Sequence, residues 1–432
     1  MRVLVLGAYG FIGIALARAL RAAGHEVTGL GRDPAIGPRV LPSIAWVCAD
    51  LARLRTAADW GPLLANVDAV VNAAGALQEG PRDDLERLHH VAIASLAEAC
   101  AAAGAIRLVQ VSAPGARTDA TTDFMRTKAR AEAAIRRSGG DWVILRPGLV
   151  LGAQAWGGSA LLRTLAAFPL VQPIALPDKR VQCVALDDVA RVVLEAVEGS
   201  LGSRTEFDLV ENAPHRLREV VAKIRAWLGV PPARAEFVFP EGVVALVSRL
   251  ADALGRLGWR SPLRSTAVRA LEAEVIGDPA PLEAHRGRPL ASLDELLDAR
   301  PAGAQERVFA RLQLLLPALV ATLAAFWIAS GLIGLADVAR AARTLPESAV
   351  PAAMAKASVV TGALVDIALG LAVLRQPWAR AACLGMVAVS LLYLAAGTVL
   401  TPGLWLDPLG PLVKVVPAAL AAVVAAALLE ER

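Results

Sequence analysis

The feature that most constrains this chain is the turn Gly7-Ala8-Tyr9-Gly10-Phe11-Ile12-Gly13, set directly after the short apolar run Arg2–Gly7. A tight turn from a strand into a helix brings backbone N–H groups and a positive helix N-terminus against a pyrophosphate. A side chain at Gly7, Gly10 or Gly13 would block the turn, the ligand's approach or the packing of helix on strand. The spacing is GxxGxxG, with the middle glycine one place later than in the commoner GxGxxG. Its place between a strand and a helix gives the triplet its specificity. Tyr9, Phe11 and Ile12 lie in the same turn and are expected beside the ligand. A secretory-signal reading of the first residues leaves the three glycines and Arg18 unexplained.

The pattern continues as strands near Glu26–Gly31, Ile44–Ala49, Val67–Ala74, Ile106–Ser112 and Asp141–Pro147. Helices are expected over Gly10–Ala23, Leu85–Ala103 and Asp123–Ser138. Continuous apolar strands alternating with helices predict an α/β, Rossmann-type, doubly wound parallel sheet covered on both faces. Beyond Leu312 charges become sparse, and the whole chain is 56% hydrophobic. Four apolar stretches follow, Leu312–Leu335, Ala357–Leu374, Ala381–Leu400 and Pro411–Leu429, each near the length that crosses a bilayer. The expected organisation is a nucleotide-binding domain over 1–230, substrate-lobe and linker helices over 231–305, and an all-α four-helix transmembrane domain over 306–432. Basic residues flank the stretches almost evenly, so a cytosolic nucleotide decides the orientation. The expectation is a multi-pass protein of the cell inner membrane, its nucleotide-binding domain in the cytoplasm and loops 336–356 and 401–410 outside.

The net charge is +4, without a dense basic run interleaved with aromatics, which argues against nucleic acid as a partner. The four cysteines form no CxxC, and no HExxH occurs, so neither a disulfide framework nor a metal site is expected. The second strand ends Gly31-Arg32-Asp33. An acid there would hold a ribose 2′-hydroxyl, whereas an arginine pairs with a 2′-phosphate. Arg32 therefore favours NADP, and Asp33 keeps NAD open. Asp50 and Leu51 close the third strand near the expected adenine, and Ala73, Ala74 and Gly75 place small residues beside the cofactor. Asp366 is the one acid inside an apolar stretch; Lys414 and Lys356 are its expected partners, with a protonated carboxyl as the alternative.

GAYGFIG, CADL, NAAG, VQVSA with Ser112, FMRTKARAE with Lys128, ILRPGLVLG with Pro147-Gly148, and ALDDVARVV occur in that order. Together they resemble the extended and atypical short-chain dehydrogenase/reductases. The resemblance implies that Lys128 binds the nicotinamide ribose and that the Pro147–Val150 loop, with Pro147 and Val150, packs on the nicotinamide. It also implies a tyrosine general acid four residues before the lysine, where this chain has Phe124. Phenylalanine has no proton to give, so the Ser-Tyr-Lys relay is broken and Ser112 and Lys128 remain as the catalytic candidates. Asp123 stays open as another acid. Ala185 stands where the family often has histidine. Within the superfamily the chain is most similar to the atypical group that includes the NADPH-binding accessory subunit of respiratory complex I, which implies structural nucleotide binding as one outcome. FWIASGLIGL, VDIALGLAVL and TPGLWLDPLGPLVKVVP resemble a DoxX-like membrane domain. Two readings follow. One is a membrane-tethered NADP(H)-binding oxidoreductase-like protein with a lipophilic substrate. The other is a non-catalytic NADPH-binding module of a membrane protein complex. Both take a dinucleotide and the lipid bilayer as partners.

Overall fold

The computed structural model describes residues 1–77, 79–80, 84–104, 106–259, 263–346 and 350–429. It divides into two compact units, Met1–Asp252 with Ser261–Ala310, and Ala253–Arg260 with Arg311–Arg432.

The first unit is built on a seven-stranded sheet. Its strands include β1 (Arg2–Leu6), β2 (Glu26–Gly31), β3 (Ala45–Cys48), β4 (Ala69–Asn72), β5 (Arg107–Val111) and β6 (Trp142–Pro147). Thr205–Leu209 pairs outside β6, and the order runs Thr205–Leu209, β6, β5, β4, β1, β2, β3, all parallel. Successive side chains of a strand point to opposite faces. Val3 and Val5 pack with Leu16 and Leu20 and with Val189, Val192 and Val193, while Leu4 and Leu6 pack with Trp60, Ile93 and Leu96. Both faces are covered, which is why β1 carries an unbroken apolar run. The chain reverses direction across the sheet between β1 and β4, and such a reversal leaves a crevice at the carboxyl ends of the strands. Helix α1 (Phe11–Ala22) starts there, with Gly10 as its N-cap and no side-chain cap on its first N–H groups.

The strands match the sequence expectation to within a residue or two at their ends. Three helical details differ, the first being a short helix over Ile36–Val40 where none was expected. In place of one α-helix over Leu85–Ala103, a π-helical turn, Glu86–Val91, runs into the α-helix Ala92–Ala103. Residues 57–64, unassigned from sequence, form the helix Ala57–Leu64, because Asp59 accepts from the backbone N–H groups of Arg55 and Thr56, each at 2.9 Å.

The helix Asp123–Arg137 is capped by Thr122, whose hydroxyl accepts from Met125 N at 3.3 Å. It turns Lys128 and Glu132 inward. Buried Glu132 accepts twice from Arg146, at 2.9 and 2.7 Å, and once from Arg136, at 2.9 Å. Glu132→Ala is expected to cost about 2 kcal/mol: it removes the bidentate partner of the half-buried Arg146, which keeps its pairs with Glu206 and Asp208. The check is the urea midpoint of the first unit, followed by tryptophan fluorescence.

Among the described residues, four helices are long and apolar enough to cross a membrane: Ala304–Ala336, Ala352–Ala372, Gln376–Leu400 and Pro411–Leu428. The first three begin upstream of the expected Leu312, Ala357 and Ala381, since nothing in the residues they add breaks a helix. Within the expected loop 336–356, residues 338–342 are helical and 347–349 lie outside the described residues. Asp366 is not paired with Lys356 or Lys414. Its carboxylate accepts from Ser330 Oγ at 3.0 Å and from Tyr393 OH at 3.1 Å, so three helices meet on one acid. The Ser330 hydroxyl reaches it because Gly331 lets two backbones close up, where a Cβ would stand 2.4 Å from Ala363 O, and the Tyr393 hydroxyl passes Gly362, where a Cβ would stand 2.8 Å from it.

Candidate functional site

The glycine turn meets the first requirement of a dinucleotide site, an open backbone cradle. Gly7 has φ +70°, and a Cβ on it would lie 2.8 Å from Ala74 Cα. A Cβ on Gly13 would lie 2.2 Å from Gly7 O. The turn and the Ala73–Gly75 loop therefore touch backbone to backbone at the head of the crevice. The N–H groups that begin α1 face this space, where an anion is stabilised.

At the end of β2, Tyr9 leans over the sheet. Its ring stacks on Trp46 with centroids 6.2 Å apart, and its hydroxyl accepts from Arg32 N at 3.1 Å. A Cβ at Gly31 would fall 2.1 Å from Tyr9 Cε1, so the glycine before Arg32 seats the ring. Arg32 is exposed, while Asp33 accepts from Ala35 N at 2.8 Å within its own turn. Asp50 caps the short turn Leu51–Arg53 by accepting from Ala52 N at 3.1 Å, and Leu51 is buried.

The chemistry-bearing residues converge at the ends of β4 and β5. Lys128 is buried and donates to Val111 O at 2.9 Å. Burial brings its ammonium down to about 8, against the smaller opposing pull of Glu132. Ser112, the next residue along the chain, has a buried hydroxyl with no hydrogen-bond partner among the described residues. A buried polar group left this way is costly in a native fold unless something else supplies the bond. The Phe124 ring centroid lies 5.9 Å from Lys128 Nζ. The expected Ser112, Phe124 and Lys128 are therefore brought together. Asp123 is not among them: it pairs with Arg126 and lines a polar cavity of about 190 Å³ with Thr121, Asp252 and Arg264. Pro147 ends β6, and Leu149–Leu151 pairs with Cys183–Ala185, which fixes the Pro147–Val150 loop across from the crevice.

Sequence reasoning missed His89. It is buried edge-on to Phe124, with ring centroids 5.5 Å apart. Its Nε2 accepts from Ala76 N at 3.1 Å, so the proton sits on Nδ1 and is donated to Thr127 Oγ1 at 3.0 Å. Burial, and then the Lys128 charge, hold the imidazole well below its usual range, so it is neutral. A Cβ on Gly75 would stand 3.4 Å from His89 Nε2 and 3.7 Å from Lys128 Nζ, so the loop, the histidine and the lysine share one point.

Residues 7–199 match the NAD(P)H-binding family and residues 324–423 the DoxX-like family. This chain joins an NAD(P)H-binding domain to a DoxX-like domain. The fold of the NAD(P)H-binding domain is that of NAD-dependent epimerase/dehydratase-type short-chain dehydrogenase/reductases. WbmH of Bordetella bronchiseptica, solved with NAD+, aligns at 18% identity and TM-score 0.51, over 69% of this chain and 96% of its own. The NADPH-dependent quinone oxidoreductase QOR2 of Escherichia coli, solved with NADPH, aligns at 18% and 0.52, over 69% and 99%. The UDP-glucose 4-epimerase of Thermotoga maritima aligns at 15% and 0.52, over 73% and 100%. Two curated relatives also align. An uncharacterised chloroplastic protein of Arabidopsis thaliana is 26% identical over 52% of this chain and 79% of its own length. A ceramide reductase of Caulobacter vibrioides is 27% identical over 44% of this chain and 58% of its own length.

The residues of the NAD(P)H-binding domain fit a nicotinamide dinucleotide. The glycine cradle is one that any Cβ would fill, and the orphaned Ser112 hydroxyl follows β5, with Lys128 bonded to its last carbonyl and close to Gly75. Among the described residues, no group of three or more His, Cys, Asp or Glu could hold a metal ion.

Proposed function

We propose that this protein is a membrane-held NADP(H)-dependent reductase of a lipophilic carbonyl compound. In this reading the NAD(P)H-binding domain lies in the cytoplasm, against the inner membrane. The observation that carries the reading is the buried, partnerless Ser112 hydroxyl next in the chain to the carbonyl that holds Lys128. Ser112 Oγ is a buried donor without an acceptor among the described residues, beside a lysine that spends one of its three donors on Val111 O. Gly7, Gly10 and Gly13 would hold the pyrophosphate, Lys128 the nicotinamide ribose, and Pro147 and Val150 the nicotinamide face. Arg32 supports NADP, since the neighbouring Asp33 is already engaged in its own turn. A bound reduced nicotinamide supplies a hydride for a carbonyl carbon. Ser112 orients the carbonyl oxygen, and Lys128 holds the proton which that oxygen takes up in the place of the missing tyrosine. The lipophilic substrate class is supported by the DoxX-like domain and by two similarities, to a ceramide reductase and in fold to a quinone oxidoreductase.

The test is to purify the whole protein in detergent, identify the nucleotide that copurifies, and follow NADPH oxidation with long-chain ketones, aldehydes and quinones. Turnover that is lost in Lys128→Met supports the reading. Phe124 favours a second reading, a nucleotide-binding module without turnover, and tight NADPH binding with no oxidation across the panel decides for it.

Lys128 also sets a pH dependence. With its ammonium titrating at about 8, turnover should be full below that pH and fall as pH rises through it. The stability effect has the opposite trend. The folded value lies below the ordinary 10.5, so burying the charge penalises the fold in full below about 8, and the penalty fades as pH rises toward 10.5. Unfolding midpoints of wild type and Lys128→Met should therefore differ by an amount that changes across this window. That measurement does not depend on turnover.

A further inference from the structure

A second cavity in the first unit, of about 330 Å³, opens from Leu151–Ala153, directly downstream of the Pro147–Val150 loop. Its walls include Leu151, Ile224, Trp227, Leu296 and Leu297, and Arg163 and Arg300 are its cations. Arg163 belongs to the helix Gly157–Ala166 and is 6% exposed. Its guanidinium lies 4.9 Å from the Trp227 ring centroid and donates to the carbonyls of Ala153 and Gly152. A guanidinium has five N–H donors, and these bonds use two of its nitrogens once each. Among the described residues it forms no ion pair. Arg300, also on the wall, is paired with Asp187. Glu306 faces Arg163 from the rim and accepts from Gly303 N at 2.8 Å. Burial lowers the Arg163 pKa, which expresses the cost of an unpaired charge in an apolar wall.

We propose that this cavity binds an amphiphile with a singly charged oxyanion head, the head on Arg163 and an aliphatic chain along Trp227, Ile224, Leu296 and Leu297. A carboxylate supplies two acceptors for the planar fork of an arginine. The apolar wall suits a chain, and a cavity of this size lies at the small end of ligand pockets. Glu306 on the rim disfavours a second negative charge, so a fatty carboxylate fits better than a doubly charged alkyl phosphate. Neither Ser112 nor Lys128 lines this cavity, and the inference does not depend on turnover at those residues.

The experiment is photolabelling of the full-length protein in nanodiscs with a diazirine-bearing octanoate, followed by peptide mapping. Label is expected on peptides carrying Ile224–Trp227 or Leu296–Leu297. Octanoate and octanesulfonate should compete. Octyl phosphate at pH 8 should compete more weakly, and 1-octanol and octyltrimethylammonium should not compete. Arg163→Gln should cut labelling by about tenfold. Equal competition by 1-octanol, label confined to residues 311–429, or full labelling of Arg163→Gln would each overturn the proposal. Should Arg163→Gln fail to fold, the wild-type competition series decides alone.

Discussion

Phe124→Tyr should raise NADPH-dependent turnover by about 100-fold or more, the contribution of a positioned proton donor. The case rests on what surrounds the ring. Lys128 Nζ is 5.9 Å from the Phe124 centroid, and the Ser112 hydroxyl lacks a partner. A phenol at this place adds a donor beside a lysine whose charge would hold the phenol's proton more loosely. The ring keeps its edge contact with His89, so the substitution adds one oxygen without removing packing. Rates measured on the long-chain carbonyl that wild type oxidises NADPH with, or on the whole panel where wild type is silent, give the answer. No gain in a variant that still binds NADPH would mean that Ser112 and Lys128 are not arranged around a substrate. The proposed reductase would then give way to the binding module.

Gly13→Ala should abolish nucleotide binding, with affinity for NADPH falling by about 100-fold or more, through loss of the backbone cradle. The added Cβ would stand 2.2 Å from Gly7 O and 2.9 Å from Ala8 Cα. Both neighbours are backbone atoms and cannot swing aside, so the turn itself has to open. Gly24→Ala is the control. Gly24 lies just past the other end of the same helix, α1, at φ +89°, but a Cβ there meets nothing within 4 Å, so only a local conformational cost is expected. NADPH fluorescence titrations of the two variants separate a damaged cradle from a generally weakened fold.

Much of this architecture is written locally. The parallel sheet follows from apolar runs spaced by helices, and the glycine turn from three residues whose side chains the backbone cannot admit. Lys128 faces inward because it lies on the buried face of the helix Asp123–Arg137 with Met125 and Glu132. The parts that were not legible depend on distant partners. His89 reaches Lys128 through a π-helical turn, whose extra residue shifts the face of the helix, and adjacent histidines carry no sign of which one turns inward. Tyr9 sits in the glycine turn, yet its ring is placed by Trp46 and by the absence of a side chain at Gly31, both on other strands. Asp366 presents a charge that invites a lysine partner, whereas hydroxyls from two other helices satisfy it. In an apolar setting two neutral donors avoid burying a second charge.

That three-way contact has a consequence for how the chain is made. An acid left in hydrocarbon without partners costs about 3 kcal/mol. Until Tyr393 has emerged from the ribosome, Asp366 has at most the Ser330 hydroxyl. In a bilayer, the helix Ala352–Ala372 is therefore expected to partition less readily alone than together with its two partners. A nascent chain halted before Tyr393 is expected to be extracted more easily than one halted after the helix Gln376–Leu400 is complete.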